Sequence, residues 1–152
     1  MRRTSTSLGL AALGSIAVLA GCGSSGPSKA DFAKKADAIC AATNRAHPPQ
    51  PNPKNAKQAA AIQAEEISIR TDLARKLNAL KVPGSEKSEF AAYKAGTQRI
   101  LAAITTMKND ALAGDEKKYT ADSQGFQTAS VAREKLAIKL GFKTCGRRNP
   151  AQ

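Results

Sequence analysis

Hydrophobic residues recur every three or four positions in four segments of the chain, which is the spacing of amphipathic helices. The first segment follows Ser28, a good N-cap residue with Asp31 in the first turn, and ends at His47 before a proline-rich stretch. The second runs from about Lys54 to Leu80. The apolar faces of these two predicted helices are formed by Phe32, Ala36, Ile39, Cys40 and Thr43, and by Ile62, Ile69, Leu73, Leu77 and Leu80.

The other two segments make up the second half of the chain. The third is predicted to start at Ser85 as N-cap and to end at Gly114, because glycine suits a left-handed C-terminal position. Asp115 can cap the fourth, which spans about Glu116 to Leu140. Their apolar faces are formed by Phe90, Tyr93, Thr97, Ile100, Leu101, Ile104, Met107 and Ala111, and by Tyr119, Phe126, Ala129, Leu136 and Leu140.

Four amphipathic segments with short connections predict an all-α fold, an antiparallel four-helix bundle. No segment alternates with period two over a useful length, so no sheet is expected. The stretch from Pro48 to Pro53 predicts a stiff loop between the first two helices. Gly125 marks a possible kink or close helix contact in the fourth helix, and Arg133 falls on its apolar face, where it can snorkel outwards. Thirty residues are alanine, which favours close helix packing around a thin core.

The N-terminus differs from the rest of the chain. Arg2 and Arg3 precede the thirteen apolar or small residues of Leu8–Ala20. A helix that spans a bilayer needs about 20 apolar residues, so this segment indicates an export signal and not a permanent membrane helix.

The tetrapeptide Leu19-Ala20-Gly21-Cys22 matches the lipobox of bacterial lipoproteins. The resemblance implies a diacylglyceryl thioether on Cys22, cleavage after Gly21 and acylation of the new amine, because a thiolate is the nucleophile that forms the thioether. An ordinary secretory signal that carries a cysteine is the alternative. The chain also resembles small uncharacterised all-helical lipoproteins of high-GC Gram-positive bacteria, through Asp37-Ala38-Ile39-Cys40, the Leu80–Pro83 loop, and Leu140-Gly141 followed by Cys145.

The domain organisation follows from the lipobox. We expect a signal peptide over residues 1–21, a flexible tether over 22–28 and a helical bundle over 29–148. The mature protein would be anchored at the outer, extracytoplasmic face of the cell membrane by the acyl chains on Cys22. Two or more chains make such an anchor stable.

The chain has a net charge of +12, and loss of the signal peptide leaves 22 basic residues against 12 acidic ones, a charge of +10. This charge favours anionic lipid headgroups or anionic wall polymers as partners, although a solvated cationic surface explains it as well. Aromatic residues do not interleave with the basic ones, so we expect no nucleic-acid binding. The basic residues are densest near the C-terminus: Arg133, Lys135, Lys139, Lys143, Arg147 and Arg148.

Cys40 and Cys145 remain once Cys22 is lipidated, and disulfides form and persist in exported proteins. In an up-and-down bundle the fourth helix ends near the start of the first. The segment after Gly141 can then fold back along the first helix to reach Cys40, with Phe142 packed beneath it. The sequence thus predicts a structural disulfide between Cys40 and Cys145, and two unpaired thiols are the alternative.

No residue pattern points to catalysis, a metal or a cofactor. His47 stands alone at a helix end, so neither a metal cluster nor a haem pair with Met107 is convincing. The only acidic cluster, Glu65-Glu66 with Asp72, is expected to form salt bridges with Arg70, Arg75 or Lys76. We therefore expect a non-enzymatic binding or interaction module with a ligand or protein partner that the sequence does not identify. The alternative is a carrier of a lipid or another apolar ligand inside the bundle.

Overall fold

The computed structural model describes residues 26–146, and the predicted all-helical class is confirmed, since these residues contain four long helices and no strand. None of these helices is long and apolar enough to cross a lipid bilayer. The predicted signal peptide over residues 1–21, the lipobox cysteine Cys22, Arg147 and Arg148 lie outside the described residues. The helices are α1 (Lys29–Ala46), α2 (Ala56–Asn78), α3 (Lys87–Ala113) and α4 (Glu116–Lys139).

The predicted caps hold at α1 and at the turn between α3 and α4. The Ser28 hydroxyl accepts a hydrogen bond of 3.1 Å from the N–H of Asp31. Gly114 ends α3 with a φ of 69°, a left-handed conformation that glycine adopts without steric cost. The Asp115 carboxylate then accepts the N–H of Lys118 at 2.9 Å and caps α4. Two residues therefore suffice to reverse the chain.

The predicted start of α2, about Lys54, lies two residues before the observed Ala56, and that of α3 lies one residue before the observed Lys87. Asn55 caps α2, because its side chain accepts the N–H of Gln58 at 2.9 Å. Ser85 is not the cap of α3 but lies in a short 3₁₀ turn, and α3 begins at Lys87. These boundaries depend on which side chain reaches a free backbone N–H, and several residues nearby are suitable.

The helices form an antiparallel bundle in which α3 packs along both α2 and α4, and α1 packs against α2. The antiparallel order of α3 and α4 is visible in two contacts. Ala111, at the end of α3, lies in one cluster with Tyr119, at the start of α4. Tyr93, near the start of α3, contacts Arg133 in the second half of α4.

Four aromatic rings form the densest part of the core, where the start of α1, the start of α3 and the C-terminal segment meet. Phe32 stands edge-on to Phe90 with ring centroids 5.2 Å apart, and Tyr93 stands edge-on to Phe142 at 5.5 Å. All four side chains are buried. Such pairs add to the stabilisation that comes from the buried area alone.

The opposite end of the bundle is built mainly from alanine. Ala59 and Ala60 of α2 pack with Ala111 of α3, and Tyr119 covers the cluster. The thin core expected from the composition is therefore confined to this end. A Cβ on Gly125 would meet no side chain or neighbouring helix within 4 Å, whereas a Cβ on Gly96 would lie 3.3 Å from Arg133. The close helix contact is thus at Gly96 and not at Gly125.

The segment after α4 folds back onto α1, as predicted. The Asp37 carboxylate accepts backbone N–H groups from Lys143 (2.8 Å), Thr144 (2.7 Å) and Cys145 (3.1 Å). Hydrogen bonds to a charged acceptor are stronger than those between neutral groups. Asp37 therefore accepts three backbone N–H groups that lie beyond the end of α4 and outside any helix, and it holds the segment beside α1.

The predicted disulfide between Cys40 and Cys145 is confirmed. The two Cα atoms are 5.3 Å apart, and both residues are almost fully buried. The bond joins residues 105 positions apart and links the second half of α1 to the C-terminal segment. A closed loop of this length removes much conformational entropy from the unfolded chain.

We predict that loss of this bond lowers the stability of the bundle substantially. In the double variant C40S/C145S, the free energy of unfolding should fall by up to about 4.7 kcal/mol, the loop-entropy value for about 100 residues. Urea unfolding followed by circular dichroism measures this change. A thiol reductant should lower the stability of the wild type to that of the variant and leave the variant unchanged. Equal stability of oxidised and reduced wild type would contradict the prediction.

Candidate functional site

The bundle has a cleft because α1 is shorter than the helices beside it. At 1.5 Å per residue, the 18 residues of α1 extend about 27 Å, whereas the 27 residues of α3 extend about 40 Å. Past His47 the chain leaves the bundle as the exposed segment Pro48–Pro53. The space between this segment, α2 and α4 forms a cleft of about 400 Å³.

One wall of the cleft is apolar. Ile62, Ile69 and Leu73 of α2 face Phe126 of α4, and all four are half-buried. From their spacing in the sequence, these four side chains were predicted to lie on the core-facing sides of α2 and α4. Leu73 also packs against the core cluster that includes Cys40 of α1, whereas Ile62, Ile69 and Phe126 line the open space past the end of α1. The proline-rich segment forms the rim on the other side.

Arg133 lies at the floor of the cleft and is only 9% exposed. Its guanidinium carbon is 5.3 Å from the centre of the Tyr93 ring, and its Nη1 donates to the Tyr93 hydroxyl at 3.3 Å. Gly96 leaves room for the Arg133 stem where α3 and α4 cross. The Nε of Arg133 is buried and has no hydrogen-bond partner in the part of the chain that the structure describes. The sequence predicted that Arg133 lies on the apolar face of α4 and can extend its charged end to solvent. In the structure its side chain is buried.

The electrostatics of this floor follow from burial. Burial lowers the pKa of Arg133, because the charged guanidinium has lost its water, and the positive charge of Arg70 acts in the same direction. Tyr93, Glu134 and Glu66 oppose this shift. Burial also raises the pKa of the Tyr93 phenol. Arginine nevertheless stays protonated at neutral pH, so the cleft contains a buried positive charge.

The other charged residues of the cleft are already paired. Arg70 forms a salt bridge with Glu66 and lies over the Phe126 ring, 5.9 Å from its centre. The Glu65 carboxylate accepts a hydrogen bond from the Gln50 side chain at 3.1 Å, which ties the proline-rich segment to α2. Arg133 thus differs from Arg70: within residues 26–146 it forms no salt bridge.

The predicted acidic cluster is divided: Glu65 and Glu66 line the cleft, whereas Asp72 lies on the surface of α2 outside it. Asp72 forms salt bridges with Arg75 and with Lys76, at 2.5 and 2.6 Å, and these two partners lower its pKa. Together with the pair of Glu66 and Arg70, these contacts confirm the expected salt bridges.

The histidine and the two cysteines considered as site residues in the sequence all lie at the cleft, but in different chemical states. His47 is exposed at the rim of the cleft, and its backbone N–H closes the last turn of α1. Cys40 and Cys145 line the cleft as a disulfide, so neither is a free thiol. Among the described residues, no three His, Cys, Asp or Glu side chains are close enough to hold a metal ion. The cleft therefore offers apolar surface, amides, hydroxyls and a buried cation.

The sequence missed Arg133 as the central polar group of the cleft. The one available signal was a charged residue on the apolar face of a predicted helix. That signal does not distinguish a side chain that snorkels from one that is buried, because the difference depends on Gly96 and Tyr93 of another helix.

A second pair of acidic residues lies at the opposite end of the bundle, near the turn between α3 and α4. Asp110 is buried and has one oxygen 3.5 Å from the Lys118 ammonium, while its Oδ2 has no hydrogen-bond partner. Asp110 raises the pKa of Asp122, because a protonated Asp122 can donate to it and a charged one is repelled. The two carboxylates are too few for a metal cluster, and we assign them no function.

We predict that Asp122→Asn raises the melting temperature at pH 7. The raised pKa means that the folded protein binds the Asp122 proton more tightly than the unfolded chain does, so this residue costs stability once the pH exceeds its folded pKa. The gain should vanish well below pH 3.8, where Asp122 is protonated in both states. Thermal unfolding at several pH values measures it. A gain that did not depend on pH would contradict this account.

Comparison of the chain with protein-family models, with curated proteins and with solved structures found no match.

Proposed function

We propose that this protein is a lipid-anchored, non-enzymatic binding module of the cell envelope, and that the cleft between α2, α4 and the proline-rich segment is its binding site. The cleft carries the proposal. It is open, has a volume within the range of small-molecule sites, and combines apolar walls with a few polar groups.

The composition of the cleft supports binding over catalysis. A nucleophilic mechanism needs a nucleophile next to a general base. The two cysteines beside the cleft are bonded to each other, and the single histidine is exposed at its rim. Ser130 lines the cleft, but within residues 26–146 its hydroxyl forms no hydrogen bond with His47 or with a carboxylate. We therefore assign the cleft a binding role.

The proposed anchor defines how the domain is held. Acyl chains on Cys22 would hold the domain at the membrane through the six residues that precede Ser28. These residues can extend over about 20 Å at 3.3 Å each. Cys40, at the near end of the cleft, is about 16 Å further along α1 from Lys29. The cleft is thus expected to lie away from the anchored end, and the cationic body is expected to favour anionic headgroups or wall polymers.

A second candidate function is transport of a lipid or another apolar ligand. The apolar wall of Ile62, Ile69, Leu73 and Phe126 supports it. The aromatic core around Phe32 is closed, so such a ligand would have to lie in the cleft and not at the centre of the bundle. Transfer of a bound ligand between two vesicle populations distinguishes a carrier from a module that only binds.

We predict that Cys22→Ser releases the protein from the membrane. In a host that processes bacterial lipoproteins, the wild type should fractionate with membranes and have an intact mass that includes the acyl chains. The variant should lose both properties, because serine cannot form the thioether. Ser24→Ala, two residues away, is the matched control and should behave as the wild type. Membrane association of the Cys22→Ser protein would contradict the proposed anchor.

We predict that filling the cleft abolishes ligand binding without unfolding the bundle. Ser130→Trp places an indole in the cleft from a half-buried position on α4. Wild-type protein purified from its native envelope should carry a small molecule that mass spectrometry detects in an organic extract, and the variant should carry at least tenfold less. Ser88→Trp, on the exposed surface of α3, is the control. Equal extracts from all three proteins would contradict the cleft as the binding site.

A further inference from the structure

We propose that the cleft binds an anionic amphiphile, a single aliphatic chain that ends in a carboxylate or phosphate, with the anion at Arg133 and the chain along the apolar wall. This inference rests on the proposed function of the cleft as a binding site, and it adds the class of ligand.

The first argument is that Arg133 has no counterion among residues 26–146. A buried charge is costly unless it is paired and hydrogen-bonded. Arg133 is nine-tenths buried, its Nε has no partner, and Tyr93 supplies one hydrogen bond and a ring face but no negative charge. An anion in the cleft would supply what the protein does not. The guanidinium fork also matches the planar oxygens of a carboxylate or the oxygens of a phosphate.

The second argument is the distribution of the remaining charges. Glu66 is paired with Arg70 and Glu65 accepts from Gln50, so neither forms a salt bridge with Arg133, although the charge of Glu66 also acts on it. The positive charge of Arg70 acts on Arg133 as a second cation. An anion between the two arginines would be attracted by both. A cationic ligand at the same place would be repelled. Glu65 and Glu66 also line the cleft, but Gln50 and Arg70 already engage them, so an anionic head group is favoured at Arg133.

The third argument is the shape and polarity of the wall beside Arg133. Ile62, Ile69, Leu73 and Phe126 are half-buried in the absence of a ligand and offer apolar area to an alkyl chain. The volume of about 400 Å³ is near the lower end of the range for small-molecule sites. This size suits one chain of moderate length and not a lipid with two long chains. None of the three arguments distinguishes a carboxylate from a phosphate, so the experiment includes both.

Calorimetric titration of matched probes tests the proposal. The protein is the full chain with Cys22→Ser, produced with its disulfide formed, so that no acyl chain of its own competes. The probes are decanoate, decyl phosphate, decanol, decylamine and inorganic phosphate. Decanoate or decyl phosphate should bind at least about tenfold more tightly than decanol, decylamine and inorganic phosphate. Only the first two combine an anion that pairs with Arg133 and an alkyl chain that packs against the apolar wall.

Two variants assign the anion preference to Arg133. Arg133→Met keeps an unbranched side chain against Tyr93 and removes the charge, so decanoate should bind about as weakly as decanol, while binding of decanol itself stays the same. Arg99→Met removes the same charge from the exposed surface of α3 and should change neither affinity. The melting temperature of each variant checks that the bundle is intact. Should Arg133→Met fail to fold, the Nε–H resonance of Arg133 in the wild type provides the test, and it should shift with decanoate but not with decanol.

Each other result overturns the proposal in a different way. Equal binding of decanol and decanoate would show an apolar site without anion preference, and inorganic phosphate that binds as tightly as decyl phosphate would show a site for small anions. Unchanged decanoate affinity in Arg133→Met would remove Arg133 from the site. If none of the probes binds although Ser130→Trp still loses its native ligand, the class of ligand is wrong while the proposed function stands.

Discussion

The attachment of the C-terminal segment to α1 is the constraint on which the rest of the structure depends. Cys145 is bonded to Cys40, and the Asp37 carboxylate accepts three backbone N–H groups of the same segment. This attachment places Phe142 among the aromatic rings of the core. It also joins the two ends of the described chain, because α1 has its main helix contacts with α2 and not with α4. Without it, α1 would keep its contacts with α2 and the contact of Phe32 with Phe90 of α3, but it would lose its covalent link to the C-terminal segment.

The same attachment shapes the cleft. It fixes the second half of α1 over one end of the bundle, and Thr144, Cys145 and Gly146 form part of the cleft lining. Beyond the end of α1, the apolar residues of α2 and α4 have no helix to cover them. Arg133 is buried at this boundary, where the packed core ends and the open space begins. Under the proposed function, this incompletely paired buried charge costs stability and serves binding, an exchange that is common at functional sites.

The sequence predicted local features well and tertiary ones poorly. The helical period located all four helices, and Ser28, Gly114 and Asp115 determined their ends through short-range hydrogen bonds. The disulfide was predictable because the bundle topology brings the two cysteines together. The role of Asp37 was not, since its partners are more than one hundred residues away. The cleft and Arg133 also escaped prediction, because an apolar stripe does not reveal whether a neighbouring helix is long enough to cover it.

Native-state amide hydrogen exchange tests most directly whether the C-terminal segment belongs to the cooperative core. In the oxidised protein, the amides of Thr144 and Cys145 should exchange only through global unfolding, with the same opening free energy as the amides of Tyr93 and Ile100 in α3. Exchange of Thr144 and Cys145 at rates close to those of an unfolded chain, while α3 remains protected, would show that the segment opens independently. That result would contradict the dependence of the fold and the cleft on this attachment.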